Sequence, residues 1–484
     1  MIYIATLILY EYTTDRKKNQ VFKNFLSLFT VLLRCAVCFY IHNMQKEASP
    51  ITILTVKKGY EYMLNKKIAF LRAFETLDSR GNPTVSAHIV LECGAHGTAS
   101  VPSGASTGEA EAFEKREGDP ARYFGKGTAK VCLDMEKKIL PAIRGMDAGA
   151  QRSLDERLIA LDGSDDKSTL GANAILAVSL AAARAAANAY GLPLCRYLGG
   201  IYGAKRFPRP MMNVLNGGCH ADNNLDIQEF MIVPVGAATF SEAVRIGCEI
   251  YHTLKDILKR RGLSVSVGDE GGFAPNLTGD EDAIEFLLEA IRTAGYDEET
   301  VKISLDVAAS EWAKGGAYRL PKRNLKITAE ELTETFAGYL DRYPILSIED
   351  PIGENDEEGW KHITEKLGKR TLLVGDDLFA TKASRLAYGI ENDLANAVLI
   401  KPNQVGTLTE TLDTIHLAVQ NGYAPIVSHR SGETADAFIS DIALAVGAPY
   451  IKAGAPARGE RVEKYNRLIK LEQTMDTGCR PCLL

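Results

Sequence analysis

From residue 301 to 452 the chain repeats one pattern: a short, unbroken apolar run stops on a charged residue, and a polar segment of helix length follows. Residues 301–305 stop on Asp306, 345–348 on Glu349, 371–375 on Asp376, 397–400 on Lys401, 425–428 on His429 and Arg430, and 450–451 on Lys452. A strand, a crossover helix and their two loops take about 25–30 residues, so this spacing predicts successive βα units and a parallel sheet. The runs are continuous rather than alternating, as in strands buried on both faces. Six such units exceed half of a (β/α)8 barrel, and a C-terminal barrel is the predicted architecture.

In a barrel of this kind the C-terminal strand ends meet on one rim, where catalytic groups gather. Three carboxylates, two lysines, an arginine and a histidine are therefore expected to converge. Carboxylates without a nearby cysteine suit a hard cation such as Mg²⁺. Ordinary loop charges would explain one such residue; recurrence at matching places in successive units favours function.

Upstream the pattern differs. Residues 68–75, 84–92 and 98–101 read as an antiparallel meander, turned at Asp78-Ser79-Arg80-Gly81-Asn82-Pro83. Helices are predicted over 126–143 and over the alanine-rich 168–190, which stops at Gly191 with Pro193 beyond. This makes 63–200 a smaller α+β domain. Residues 201–210 read as a linker, and the barrel occupies 207–473, starting with strands at 211–215 and 230–235. Thr239-x-x-Glu242, Thr278-x-x-Glu281 and Thr328-x-x-Glu331 read as capping boxes that open three barrel helices. Residues 474–484 form a tail.

Residues 1–62 stand apart. Their apolar stretch, 21–41, is interrupted by Lys23, Asn24 and Arg34, and no small-residue cleavage motif follows cleanly. It is a poor membrane span and a poor signal peptide. The favoured reading is sequence not normally translated, with Met63 as a natural start; a membrane anchor and a disordered leader are the alternatives. Contact with a membrane is expected only if this segment acts as an anchor.

The 484 residues carry a formal net charge of −6, which argues against nucleic acid held by bulk electrostatics. An anionic substrate would need a local cationic pocket. Cys93, Cys132, Cys195, Cys219 and Cys248 are scattered singly, as expected for reduced, buried thiols. The two C-x-x-C pairs lie in the terminal segments without histidine at zinc-finger spacing.

Other stretches add chemistry. Residues 101–108 form a small-residue loop able to fold over a ligand. Gly125-Lys126 is followed by Gly127, which excludes a phosphate-binding P-loop there. The glycine-rich 216–224 carries His220 and leads to Gln228 and Glu229. Gly268-Asp269-Glu270-Gly271-Gly272 sets two acids on tightly turned backbone, and Glu270 is expected to have the raised pKa of a general acid. Lys401, near cations, is expected to have a lowered pKa and act as a base. Arg430 and Ser431 offer a fork and a hydroxyl to a phosphate. Together these groups suit proton abstraction α to a carboxylate, then loss of a leaving group.

At this point the motifs resemble a known family. The turn at 78–85, the loop at 102–108, Leu170 to Leu176, Asp226-Ile227-Gln228-Glu229-Phe230, residues 268–272, Ser347-Ile348-Glu349-Asp350-Pro351 and 428–434 are similar to enolases (phosphopyruvate hydratases), most like those of bacteria or archaea. The resemblance covers residue 63 to about 472. It implies reversible dehydration of 2-phosphoglycerate to phosphoenolpyruvate. It further implies Lys401 as base and Glu270 as acid, with Glu229 and His220 nearby. Asp306, Glu349 and Asp376 would hold one Mg²⁺, and Ser106 a second that arrives with substrate. Gln228, His429, Arg430, Ser431 and Lys452 would contact substrate. It also implies a barrel whose second strand runs antiparallel, a homodimer or octamer, and a cytoplasmic setting. Two alternatives are a racemase or cycloisomerase on the same scaffold, and a surface-binding protein that has lost catalysis. The phosphate-suited 428–434 and small-residue loop speak against the first, and the undamaged set of site residues against the second.

Overall fold

The computed structural model describes residues 65–104, 108–200 and 206–475. The expectations for residues 1–62, for the end of the tail and for Ser106 lie outside the described residues.

The first element is an antiparallel meander of β1 (Ile68–Leu77), β2 (Pro83–Leu91) and β3 (His96–Ser100). Its inner face packs on the helix Ala172–Tyr190, whose many alanines let strand and helix backbones approach closely. A Cβ at Gly97 would fall 2.4 Å from Ala181 O and Ala185 N, so only glycine fits this crossing. The helix ends on Gly191 at φ 65, with Leu192 N donating back to Ala187 O at 3.0 Å. The helix expected over 126–143 is broken into Ala129–Asp134, a π-helical turn Met135–Ile139 and Leu140–Ile143. Pro141 supplies the reason: it has no N–H for the regular ladder.

The barrel closes in the order β4 (Arg209–Asn216), β5 (Glu229–Val233), β6 (Lys302–Asp306), β9 (Ile345–Glu349), β10 (Leu372–Gly375), β11 (Ala397–Ile400), β12 (Ala424–Ser428) and β13 (Tyr450–Lys452), which pairs back to β4. β5 is antiparallel to both neighbours, and every other pairing in the barrel is parallel. The long interval between Asp306 and Glu349 holds an unpredicted hairpin, β7 (Tyr318–Leu320) and β8 (Leu325–Ile327), before the helix Ala329–Arg342. Met211, Met231, Val233, Val374, Leu399 and Ile426 fill the barrel interior below the rim.

Of the three expected capping boxes one forms in full and one by half, Glu242 accepting from Ala238 N rather than from Thr239 N. Thr328 and Glu331 make a complete capping box, and Thr239 accepts from Glu242 N at 3.1 Å. The third does not form: the helix Asp280–Thr293 starts from Gly279, and Thr278 bonds Asp282 instead of Glu281. Asp280 is turned inward, accepting from Asp226 N and Ile227 N, which shifts the helix start by one residue.

The meander's turn reaches the barrel mouth. Asp78 Oδ1 accepts from Arg80 N and Asn82 N, while its Oδ2 accepts from Ser103 Oγ at 2.8 Å. Ser79 N donates to Glu433 O, and Ser103 and Gly432 exchange backbone bonds at 2.8 and 3.0 Å. The stem of the small-residue loop is thus stitched to the loop that carries Arg430 and Ser431.

Candidate active site

A cleft with about 550 Å³ of empty space, mouth included, opens at the rim. His220, Gln228, Glu229 and Glu270 line one part, and Asp306, Asp376 and Lys401 another; His429, Arg430, Ser431 and Lys452 complete it. Glu349 lies just beneath, buried, against Lys452.

Strand register explains the convergence. Because β5 runs backwards, its first residue, Glu229, stands at the rim beside Asp306, and Asp306 beside Glu349. Opposite them Lys452 is level with Ser428. Its ammonium lies 2.9 Å from Asp306 Oδ2, 2.9 Å from both Glu349 oxygens and 3.1 Å from Glu229 Oε2. One cation thus bridges three buried carboxylates. Burial disfavours its charge, but Asp306, Glu229 and Glu349 outweigh this and hold its pKa well above the usual lysine value.

Lys401, at the end of β11, is ion-paired with Asp376, whose other oxygen accepts from Gln404 Nε2 at 3.0 Å. The lowering expected of Lys401 is tied to cations bound beside it; the protein groups alone act the other way. Burial pulls its pKa down, but the Asp376 charge wins and the net shift is upward. Asp350, in strained backbone at φ 39, receives Asp376 N and Asp377 N at 2.9 Å each and fixes that loop.

Glu270 sits in a turn closed by Gly268 N to Gly272 O at 2.9 Å. Its Oε2 accepts from Asn213 Nδ2 at 3.1 Å and lies 3.3 Å from His429 Nε2. Here the expectation needs correction. Burial raises its pKa, yet His429, His220 and Arg461 together hold it well below the ordinary value. The raised carboxyl is its neighbour Glu229, pushed up by burial and by the Glu270 charge. Glu229 Oε1 lies 3.4 Å from His220 Nδ1.

Arg430 makes a two-pronged pair with Glu111, at 2.8 and 3.0 Å, and reaches Asn403 Oδ1 at 3.1 Å. Of the five cysteines expected to be buried, Cys132 and Cys195 are; Cys93 and Cys248 are half-buried, and Cys219, beside His220, is exposed.

Residues 204–480 match the family model for the enolase C-terminal TIM barrel domain, and residues 68–198 that for the enolase N-terminal domain. The chain belongs to the enolase family. It is a lyase-type enzyme of the enolase dehydration class, built as the family's N-terminal domain followed by its barrel.

A metal fits this enolase site on the chemistry of its donors. The carboxylates outnumber the cations, most donors there are oxygens, and Glu349, Asp350 and Asp377 are pushed up by burial first and then by a neighbouring carboxylate, Asp306 for Glu349, Asp377 for Asp350 and Asp376 for Asp377, which reaches about 7. Such a cluster is short of positive charge and suits a hard cation. The tightest groups, with ligand atoms within 4.8 Å of one another among the described residues, are His220, Glu229 and Glu270, and Asp350, Asp376 and Asp377. The set Asp306, Glu349 and Asp376 is looser, with Lys452 and Lys401 lying against its oxygens.

The sequence reading did not find Glu111, Asn213, Asp350, Asp377 or Arg461. Asp350 and Asp377 directly follow two expected ligands, so the doubled acids were a usable signal. Glu111 and Asn213 carried none, because their roles exist only through contacts distant in sequence.

Proposed function

We propose that this enolase-family chain interconverts 2-phosphoglycerate and phosphoenolpyruvate plus water, as a Mg²⁺-dependent, cytoplasmic glycolytic enzyme of bacterial or archaeal type working as a homodimer or octamer. One observation carries the reading: Lys401 and Glu270 line the same cleft from different sides of the barrel. Lys401 ends β11, which lies opposite β5 in the closed order, and the Glu270 turn is hydrogen-bonded along β4, the neighbour of β5. A base on one side and an acid on the other suit removal of a C2 proton from one face of a substrate and of a C3 hydroxyl from the other.

Asp306, Glu349 and Asp376 would hold one Mg²⁺ and Ser106 would help hold a second, and the bound ions supply positive charge against the charge that develops on the substrate carboxylate. Lys401 gives its ammonium proton to solvent as it leaves the Asp376 ion pair, and the neutral amine then takes the C2 proton. Glu270 Oε2 is engaged by Asn213 and faces His429, which leaves Oε1 to pass a proton, taken up by the neighbouring Glu229 and Glu270 carboxyls, to the C3 hydroxyl, which departs as water. Glu229 and His220 steady that hydroxyl, and Gln228 and Lys452 the carboxylate end. Arg430 and Ser431, with His429 beside them, receive the phosphate, for which Glu111 stands in as the anion at rest.

The test is turnover of 2-phosphoglycerate, followed by phosphoenolpyruvate absorbance. Lys401→Ala and Glu270→Gln are each expected to lower kcat by about 10²–10⁴-fold with unchanged circular dichroism. Near-native rates in either variant would remove the assignment. Chelation should abolish turnover and Mg²⁺ restore it; dehydration that survives EDTA contradicts the carboxylate cage.

A further inference from the structure

The helix Gly459–Met475 sends one side chain into the site from behind. Arg461 is fully buried, yet its nearest carboxylate, Glu460 Oε1, is 3.5 Å away from Nε. The guanidinium instead addresses backbone and ring acceptors. One terminal nitrogen donates to His429 Nδ1 at 2.6 Å and to Arg430 O at 2.5 Å. The other donates to Ser431 O at 2.5 Å and Asp269 O at 3.1 Å. Gly454 makes room for this: a Cβ there would lie 2.9 Å from Arg461 Cδ and 3.1 Å from His429 Cε1.

We propose that Arg461 is a positioning residue for the dehydration, locking His429 as the neutral tautomer that carries its proton on Nε2 and tying the Glu270 turn to the phosphate loop. This rests on the reading of the site given above. The argument is one of donors and acceptors. A guanidinium has only N–H groups to offer, so the ring nitrogen facing it must be an acceptor. In a neutral imidazole the proton then sits on the other nitrogen. That nitrogen points at Glu270 Oε2, 3.3 Å away, and has no well-aligned partner among the described residues. The lock thus presents one N–H toward the acid and toward an incoming ligand. The same contact opposes a doubly protonated ring, which would bring a second N–H against the guanidinium. Burial and Arg461 accordingly leave the His429 pKa at about 4 despite the Glu270 charge. A lysine could not substitute fully, because a single ammonium lacks the planar fork that reaches four acceptors on two loops.

The experiment is two-bond ¹H–¹⁵N correlation on protein labelled at histidine. The chain has 8 histidines, and His429→Gln identifies the signal. Native protein should show His429 as the Nε2–H tautomer throughout about pH 6–8. An Nδ1–H or doubly protonated ring in that range overturns the proposal, and this measurement needs no Arg461 variant to fold. Arg461→Met should lose the single tautomer and lower kcat by about 10- to 100-fold, with KM changed much less. Arg461→Lys should restore the tautomer and part of kcat. An Arg461→Met protein that keeps both the Nε2–H ring and native kcat also overturns it. Protein inert toward 2-phosphoglycerate but with His429 locked as Nε2–H would refute the functional reading and support the lock.

Discussion

Lys452 shows how one residue sets the electrostatics of the rim. Three carboxylates lie within 3.1 Å of its ammonium, and among the described residues none has another cation as close. Removing a partner from a buried ion cluster leaves uncompensated charge, which costs about 3–5 kcal/mol. Lys452→Met should therefore lower metal-free stability by about that amount in urea unfolding. Saturating Mg²⁺ should recover part of the loss by binding only the folded form, more than it raises the native protein. Equal shifts in both proteins would mean that the ion and the ammonium do not serve the same carboxylates. At this scale the sequence was most informative where a charge ends an apolar run, because chain position alone brings it to the rim. It was silent on Glu111, whose partner Arg430 is 319 residues away. It also misjudged the direction of shift at Glu270, since the direction of a buried shift depends on which neighbours fold against the group.

Among elements, caps and crossings carry the local specificity. Thr328→Ala removes one half of the capping box and should cost about 1 kcal/mol, seen as a lower urea midpoint with unchanged slope. Gly97→Ala drives a methyl into the backbone of the alanine-rich helix and should cost about 3 kcal/mol or more, since neither backbone can retreat. A stability within 0.5 kcal/mol of native, an ordinary surface-mutant change, would show that the strand can shift. The barrel strands were legible from their uninterrupted apolar runs. The hairpin at 318–327 was not, because it is short, largely exposed at β8 and inserted where a single crossover was expected. The break at Pro141 was legible in principle, but the apolar period continues through it and hides the change of helix type.

For the molecule as a whole, Asp436 joins the two halves. Its carboxylate accepts from Ser100 N at the end of β3, from Phe438 N in the barrel and from both ends of the Arg184 guanidinium. Arg184 outweighs burial and holds the Asp436 pKa below its ordinary value. A carboxyl lowered in the folded state contributes stability that is fully present above its unfolded pKa. That stability is lost as pH falls through the lowered value. Asp436→Asn should therefore cost about 2–3 kcal/mol at neutral pH, less than a fully buried pair because Arg184 is a quarter exposed. The deficit should shrink toward acid, checked by unfolding at neutral pH and near pH 3. A loss that does not change with pH would assign the effect to packing rather than charge.

The closing pair of the barrel has a consequence in time. β4 starts at Arg209, but its outer partner β13 ends at Lys452. At ribosomal rates of about 5–20 residues per second, the first barrel strand waits roughly 10–50 s for the residue that completes the ring. The ammonium that pairs with Glu229, Asp306 and Glu349 arrives with that last strand, so the nascent chain lacks this counter-charge at its acidic rim until synthesis is nearly done.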